Sequence, residues 1–339
     1  KGGECMRKYA VWMSDSDALT RVYPAQTRAQ IAALVSELPG DIRRADFAAR
    51  RADLQRAEVI FSTWGMPALS EAEIAEYLPN LRAVFYGAGS VQYFARPFLS
   101  RGVRVFSAWA ANAVPVAEYA VAQIVLSGKG FYQAVRRYER QGREASSAYA
   151  DSLPCNYGIR VGILGAGMIG RMVLDRLRAY AYEVLAYDPF VSDEVLQGLG
   201  ARRATLAEIF STCQVVSNHV ANLPSTVGML DYALFSRMPR NATFLNTGRG
   251  AQVVEADLVR ALREAPDRTA VLDVTFPEPP AADSPLNALP NVFLTPHIAG
   301  SKGREVERMG AYMAEECARW LSGAPTPYEV TLPMLATMA

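Results

Sequence analysis

Histidine is nearly missing from this 339-residue chain, which holds only His219 and His297. With no cysteine cluster to join them, a structural zinc site has too few ligands, and no metal is expected. Cysteine is scarce as well. Cys5, Cys155, Cys213 and Cys317 lie far apart and form no C-x-x-C pair, which points to reduced thiols and a cytoplasmic protein. Neither sign of charge is in excess: 35 Lys and Arg stand against 34 Asp and Glu. That balance offers nothing to nucleic acid, a membrane surface or a polyanion. No uncharged apolar run reaches bilayer-spanning length, and the longest, near residues 113–127, is interrupted by Glu118. The N-terminal region reads without a signal-peptide core, because Ala10-Val11-Trp12-Met13 is short and runs into Asp15 and Asp17. Residues Lys1 to Cys5, ahead of Met6, carry no weight for the fold. Internal repeats and low-complexity segments are lacking too.

What is present is hydrophobic sequence, 50% of the residues, in a length that suits two domains of ordinary size. The first part of the chain alternates strand and helix patterns. Strands are expected at Tyr9–Met13, Glu58–Phe61, Ala83–Tyr86 and Val103–Phe106. Helices are expected over Gln26–Leu38, where Ile31, Leu34, Val35 and Leu38 recur at helical spacing, and over Glu71–Leu78, closed by Pro79. Such alternation predicts a parallel sheet covered by helices on both faces. A long helix is expected from Pro115 to Gln141, with Pro115 in its first turn. Residues 142–157 have no clear period and read as an exposed arm or loop. Further short strands follow at Val215–Ser217, Thr243–Leu245, Ala270–Val274 and Val292–Leu294, with helices near Asp231–Arg237 and Asp257–Arg263. A last helix, about Gly303 to Leu321, is stopped by Gly323 and Pro325.

Between these two halves lies the sequence Val161-Gly162-Ile163-Leu164-Gly165-Ala166-Gly167-Met168-Ile169-Gly170. A strand-like run leads into G-x-G-x-x-G, a helical pattern follows through Met172, Val173, Leu174 and Leu177, and a second strand, Glu183–Tyr187, ends in Asp188. A dinucleotide site needs these parts in this order. Gly165 allows a tight turn, Gly167 lets the backbone approach a pyrophosphate, and Gly170 lets helix and strand pack closely. The helix N-terminus presents free N–H groups and a partial positive charge to the phosphates. Asp188, 18 residues past Gly170, stands where a carboxylate binds the adenosine ribose hydroxyls. A carboxylate there repels a 2′-phosphate, and Pro189-Phe190 supply no cation to hold one, so NAD is favoured over NADP.

Three later segments carry chemistry. Asn246-Thr247-Gly248-Arg249-Gly250 places an arginine just beyond a strand end, where ligands of open α/β sheets bind and where a guanidinium clamps a carboxylate. Leu272-Asp273-Val274-Thr275-Phe276-Pro277-Glu278-Pro279 sets two acids past another strand, with Glu278 stiffened between prolines. Thr295-Pro296-His297-Ile298-Ala299-Gly300 holds a lone histidine, and a carboxylate beside a histidine favours the charged form that a general acid needs. Each has a plainer reading: a surface turn arginine, a rigid exposed turn with Asp273 as its cap, and a structural histidine.

Together, in this order, the four segments resemble the D-isomer-specific 2-hydroxyacid dehydrogenases over nearly the whole chain. The resemblance implies an α/β fold of two doubly wound parallel-sheet domains, a Rossmann NAD-binding domain (109–297) inserted into a flavodoxin-like catalytic domain (1–108 and 298–339), with the substrate in the cleft between them. It implies that Arg249 binds the substrate carboxylate, that His297 is the acid/base and that Glu278 is its partner. Cofactor contacts carry over to Gly165, Gly167, Met168, Ile169, Gly170, Asp188, His219, Thr247, Gly248, Arg249, Asp273 (near the carboxamide) and His297. Asn112 and Val116-Ala117-Glu118 also match the family's pattern, and His219 is given no proton-transfer role. The reaction implied is hydride transfer between NAD(H) and a 2-oxo or D-2-hydroxy acid, in a cytoplasmic homodimer using the long helix and the 142–157 arm. One loop departs from the pattern. Where many members have a Gly-Val-Gly-Tyr/Asp-type loop, this chain has Tyr86-Gly87-Ala88-Gly89-Ser90-Val91. Backbone N–H groups at Gly87, Ala88 and Gly89 are still expected to meet a carboxylate, and Trp64 is placed to wall the pocket, with a core tryptophan as the plainer reading. The substrate stays open among glyoxylate, hydroxypyruvate and bulkier 2-oxo acids. Two other functions also stay open: a non-catalytic NAD(H)-sensing protein related to transcriptional corepressors, and a formate dehydrogenase, a group that carries glutamine at the position of Glu278.

Overall fold

A computed structural model describes residues 7–336; Cys5 and the segment Lys1–Cys5 lie outside them. The chain forms two compact units, residues 1–112 with 301–339, and residues 113–300. Strands are numbered in chain order: β1 Tyr9–Met13, β2 Ser36–Ile42, β3 Val59–Ser62, β4 Ala83–Tyr86, β5 Arg104–Ser107, β6 Arg160–Leu164, β7 Glu183–Tyr187, β8 Arg202–Arg203, β9 Val215–Asn218, β10 Thr243–Asn246, β11 Thr269–Leu272, β12 Val292–Leu294 and β13 Glu329–Val330.

In the first unit the sheet order is β13-β5-β4-β3-β1-β2, parallel except for β13, which runs antiparallel on β5. The register aligns Trp12, Phe61, Phe85 and Phe106 across four neighbouring strands. Their rings follow one another at 5.1, 5.2 and 4.7 Å and form one buried aromatic ladder. The Val306–Ser322 helix lays Met309, Met313 and Cys317 on that face. The chain thus returns to this unit after the second one, and its helix completes the cover of the aromatic face that Tyr23 and Ile31 begin.

Around β1 the sequence reading needs correction. The helix expected over Gln26–Leu38 stops at Leu34, and Ser36–Ile42 is strand β2. Leu38 and Ile42 are buried on one sheet face, where a four-residue apolar spacing fits a strand as well as a helix.

The second unit has a wholly parallel sheet in the order β12-β11-β10-β9-β6-β7-β8. Order reverses between β6 and β9, which opens a crevice at their carboxyl ends. Before β6, the expected single helix is two. One spans Trp109–Gly128 and includes Pro115 in its interior, and the next spans Phe131–Asp151 after Gly130 in the left-handed region. Residues 143–151 of the expected loop are thus helical, with a break at Gly142 (φ 82°, ψ 179°). The Trp109–Gly128 helix is long and apolar enough overall to cross a bilayer, although Glu118 interrupts its apolar run. Here its Ala117, Ala120, Val121 and Ile124 are buried in the core against Val161 and Ile163 of β6.

Candidate active site

Strand β6 runs directly into the glycine turn. Gly165 has φ +87°, and a Cβ there would stand 2.8 Å from the His219 carbonyl oxygen. A Cβ on Gly170 would lie 1.9 Å from the Gly165 carbonyl oxygen, so the Met168–Leu177 helix meets the strand end backbone to backbone. Gly167 is different. It is exposed, and a Cβ on it meets nothing within 4 Å. As the N-cap it offers no side-chain acceptor, so the N–H groups of Met168, Ile169 and Gly170 open the helix without internal partners. An uncapped ten-residue helix with clear space before it fits a pyrophosphate.

Asp188 ends β7 and is buried. Its Oδ2 accepts from the Ala166 N–H at 2.7 Å, and its Oδ1 from Phe190 and Val191 at 2.8 and 3.1 Å. The carboxylate thereby ties the glycine turn to the loop after β7. Arg203, which the sequence reading did not single out, grips the same loop. Its guanidinium donates to the Asp188 and Val191 carbonyls and pairs with Asp193. A cation thus does reach this loop, from β8 instead of from Pro189-Phe190, but its donors are engaged with the protein.

Across the crevice, His219 and Thr247 come together. The His219 ring contacts Ser217 Oγ at 2.8 Å and Thr247 Oγ1 at 3.3 Å. Burial pushes its pKa down to about 4, so the ring is neutral in ordinary buffers. Between pH 6.5 and 4 the unfolded chain takes up a proton that the folded chain refuses, so His219 makes stability fall as pH falls through that window. The loss at pH 5 is about 2 kcal/mol. His219→Asn is expected to be less stable than the parent at pH 7, with the gap narrowing by about that amount at pH 5 in denaturant titrations. A gap independent of pH would contradict a buried neutral His219.

A buried amide network shapes the next loop. Asn218 Nδ2 donates to Asn246 Oδ1 and Gln252 Oε1 at 3.0 and 2.6 Å. Asn246 Oδ1 also accepts from the Gly248 N–H, and Gln252 Oε1 from the Arg249 N–H. Asn218 and Gln252 were missed because single amides at strand ends carry no spacing signal. The loop they hold carries Arg249, whose Nη1 donates to the Gly248 carbonyl at 2.8 Å. Desolvation lowers the Arg249 pKa from its usual value, and the Glu278 charge acts in the opposite sense. Such a guanidinium gains from a second anion.

The last part of the site is built on Asp273. This buried carboxylate accepts from Thr295 Oγ1 at 2.6 Å and from the Ile298 and Ala299 N–H groups at 2.8 and 2.9 Å. Its carbonyl accepts the His297 N–H at 3.0 Å. His297 sits at the apex of this turn with φ +53°, a left-handed conformation costing a non-glycine residue about 1–3 kcal/mol. Four hydrogen bonds to one aspartate hold it there. Tyr119 braces the turn through Thr295 Oγ1 at 3.1 Å. His297 Nδ1 lies 2.7 Å from Glu278 Oε1, and both side chains are partly open to solvent. The second unit thus brings together Arg249, Glu278 and His297 with Thr247, Gly248 and Asp273.

Trp64, Gly87, Ala88 and Gly89 belong to the first unit. The Gly87 N–H expected to meet a ligand donates instead to the Ser62 carbonyl at 2.8 Å. Its Cα faces the buried Tyr23, whose hydroxyl would lie 2.7 Å from an added Cβ. Parallel pairing continues one residue past β4, which consumes that donor. Among the described residues the Ala88 and Gly89 N–H groups have no acceptor. Asn112, in the same unit, accepts the Ser301 N–H at 3.0 Å, whereas Val116, Ala117 and Glu118 lie in the second unit.

Comparison with known proteins places these features in context. Residues 124–299 match the model of the D-isomer specific 2-hydroxyacid dehydrogenase NAD binding domain. A curated relative, D-3-phosphoglycerate dehydrogenase of Archaeoglobus fulgidus, is 30% identical over 266 residues, which are 78% of this chain and 50% of the relative. The chain spans about half the length of this relative and of the D-3-phosphoglycerate dehydrogenases of Mycobacterium that it also matches. Among solved structures, apo D-mandelate dehydrogenase of Rhodotorula graminis aligns with a TM-score of 0.79 at 20% identity, over 96% of this chain and 97% of that one. The NAD-complexed D-isomer specific 2-hydroxyacid dehydrogenase of Lactobacillus delbrueckii aligns at 0.77 with 18% identity, over 96% and 100%.

Proposed function

The chain belongs to the D-isomer-specific 2-hydroxyacid dehydrogenase family, and from that premise we propose that it catalyses reversible reduction of a 2-oxo acid to a D-2-hydroxy acid with NAD(H). The observation that carries this reading is the His297–Glu278 contact of 2.7 Å in the same unit as Arg249 and the open glycine turn.

The cofactor is NAD, which supplies or accepts the hydride when bound. Gly165, Gly167, Met168, Ile169 and Gly170 would hold its pyrophosphate, and Asp188 its adenosine ribose. The Asp188 carboxylate disfavours a 2′-phosphate, and Arg203 is already engaged. His219, Thr247 and Gly248 would line the crevice beside the cofactor. Asp273 shapes the turn that would lie beside the nicotinamide carboxamide.

Arg249 would bind the substrate carboxylate through paired N–H···O bonds. Because Nδ1 of His297 faces Glu278, Nε2 is the atom left to give a proton to the substrate oxygen, or to take it back in oxidation. Glu278 would fix the ring's orientation through its contact with Nδ1. The free N–H groups of Ala88 and Gly89 are assigned a part in carboxylate binding, and Trp64 a part in substrate binding.

We also propose a homodimer and a cytoplasmic location. The Phe131–Asp151 helix exposes Phe131, Val135 and Tyr138, an apolar stripe suited to a second copy. Cys155, Cys213 and Cys317 are free thiols.

The test is NADH oxidation over a panel of 2-oxo acids at neutral pH. Turnover of at least one, with NADPH a much poorer donor, is expected. NAD(H) binding without turnover of any acid would replace the enzyme by a cofactor-sensing protein.

A further inference from the structure

In the first unit, strand order reverses between β1 and β3, with the Ala25–Leu34 helix on one face and the helices after β2, β3 and β4 on the other. Ligands of such sheets bind outside the carboxyl ends at that switch point. Two loops meet there. After β1, Ser14 and Ser16 donate their hydroxyls to the Trp64 carbonyl at 2.8 and 2.5 Å. After β3, the Met66 N–H returns to the Thr63 carbonyl at 3.0 Å, with Gly65 at φ +86°. This is the pattern of a type II turn with Trp64 in its first central position. A Cβ on Gly65 would lie 2.7 Å from the Ser16 N atom, so the two loops are locked together.

The backbone of Trp64 is therefore fixed, yet its indole remains 39% exposed. Tyr93, in the loop after β4, is 52% exposed, and its hydroxyl contacts the Met66 backbone of the same turn and the Tyr86 hydroxyl. Two large rings are thus held open at the place where a ligand's side chain would lie.

Charge at this end points the same way. Segments 63–70 and 87–94 contain no Lys, Arg or His. Arg43 and Arg44, after β2, pair with Asp17 and Glu73. The Asp15 carboxylate accepts the Arg44 backbone N–H and has no ion-pair partner among the described residues. A phosphorylated substrate would bring a second strong anion that requires free cations in fixed places. The nearest cation along the chain is Arg96, exposed on the helix after Tyr93.

We infer that the substrate is a 2-oxo or 2-hydroxy acid with an apolar, unphosphorylated side chain that packs on Trp64 and Tyr93. This rests on the dehydrogenase reading above, and it departs from the phosphorylated substrate in the name of the curated relatives. Burying one aromatic ring is worth about ten- to a hundredfold in kcat/KM.

The experiment compares phenylpyruvate, 4-methyl-2-oxopentanoate, glyoxylate and 3-phosphohydroxypyruvate with NADH, for the parent, Trp64→Ala, Trp64→Phe and Arg96→Ala. The parent is expected to prefer phenylpyruvate over 3-phosphohydroxypyruvate by at least tenfold. Trp64→Ala should reduce the preference for phenylpyruvate over glyoxylate about tenfold, mainly through KM, and Trp64→Phe should restore most of it. A parent that prefers the phosphorylated acid, all the more if Arg96→Ala removes that preference, overturns the inference, as does a selectivity unmoved by Trp64→Ala. If no acid is turned over, calorimetry on the NAD-loaded protein decides. Tighter binding of phenylpyruvate than of 3-phosphoglycerate then keeps the side-chain assignment and removes the dehydrogenase reading. Equal or absent binding removes both.

Discussion

Replacing His297 is expected to lower kcat for 2-oxo acid reduction by about two to four orders of magnitude, the usual worth of a positioned general acid. The choice of replacement matters because of the backbone. His297 sits at φ +53°, where alanine is disfavoured and asparagine is tolerated. His297→Ala therefore loses both the acid and part of the turn. His297→Asn keeps the turn, with its bonds to Asp273, and loses only the acid. Both variants should show the large fall in kcat in stopped-flow or steady-state NADH oxidation, and His297→Asn should retain the parent's NADH affinity by fluorescence titration. Glu278→Gln keeps a hydrogen-bond partner for Nδ1 without the charge, so a smaller loss of kcat is expected. Near-parental turnover in His297→Asn would move the proton donor elsewhere.

A second large effect separates two glycines that a motif treats alike. Gly167→Ala is expected to leave stability unchanged, because φ −70° suits alanine and the new methyl meets nothing within 4 Å. That clear space is the proposed pyrophosphate position, so NADH affinity should fall at least about tenfold. Gly170→Ala puts its methyl carbon 1.9 Å from the Gly165 carbonyl oxygen. The helix must withdraw by more than about 1 Å to reach normal contact. Overpacking of this kind costs about 1–3 kcal/mol or more, so a lower melting temperature and lost NADH binding are expected together. Intact NADH affinity in Gly167→Ala would relocate the cofactor phosphates.

Much of this was legible in the sequence where one local pattern served one purpose. Buried central strands such as Ala83–Tyr86 and Val292–Leu294 read as short apolar runs, and the glycine turn carried its own mechanics. Strand β2 was hidden because Leu38 continues the helical spacing of Ile31, Leu34 and Val35 while Leu38 and Ile42 fit a strand equally well, and only pairing with β1 decides between them. The second half of Phe131–Asp151 was hidden because Gly142 interrupts the helix and residues 143–151 are mostly small or polar. At the site, the residues proposed to carry the chemistry, Arg249, Glu278 and His297, were proposed from their types and positions. Those that hold them were not. Asn218, Gln252 and Arg203 act through hydrogen bonds to loops distant in sequence, and nothing in their immediate neighbours announces it. The roles of Asp273 and Gly87 depended on which donors were already engaged, which is settled only by three-dimensional pairing.

The aromatic ladder of the first unit has a consequence for how the chain is made. Trp12, Phe61, Phe85 and Phe106 are synthesised before the contiguous second unit, but the helix that completes their cover begins at Val306, after it. On the ribosome the second unit can close first, while the first waits with its aromatic sheet face covered only in part, by Tyr23 and the Ala25–Leu34 helix, until residues 306–322 emerge. Chains truncated after residue 300 should therefore protect the second unit from protease, leave the first open to cleavage and recruit holdase chaperones to its partly covered face.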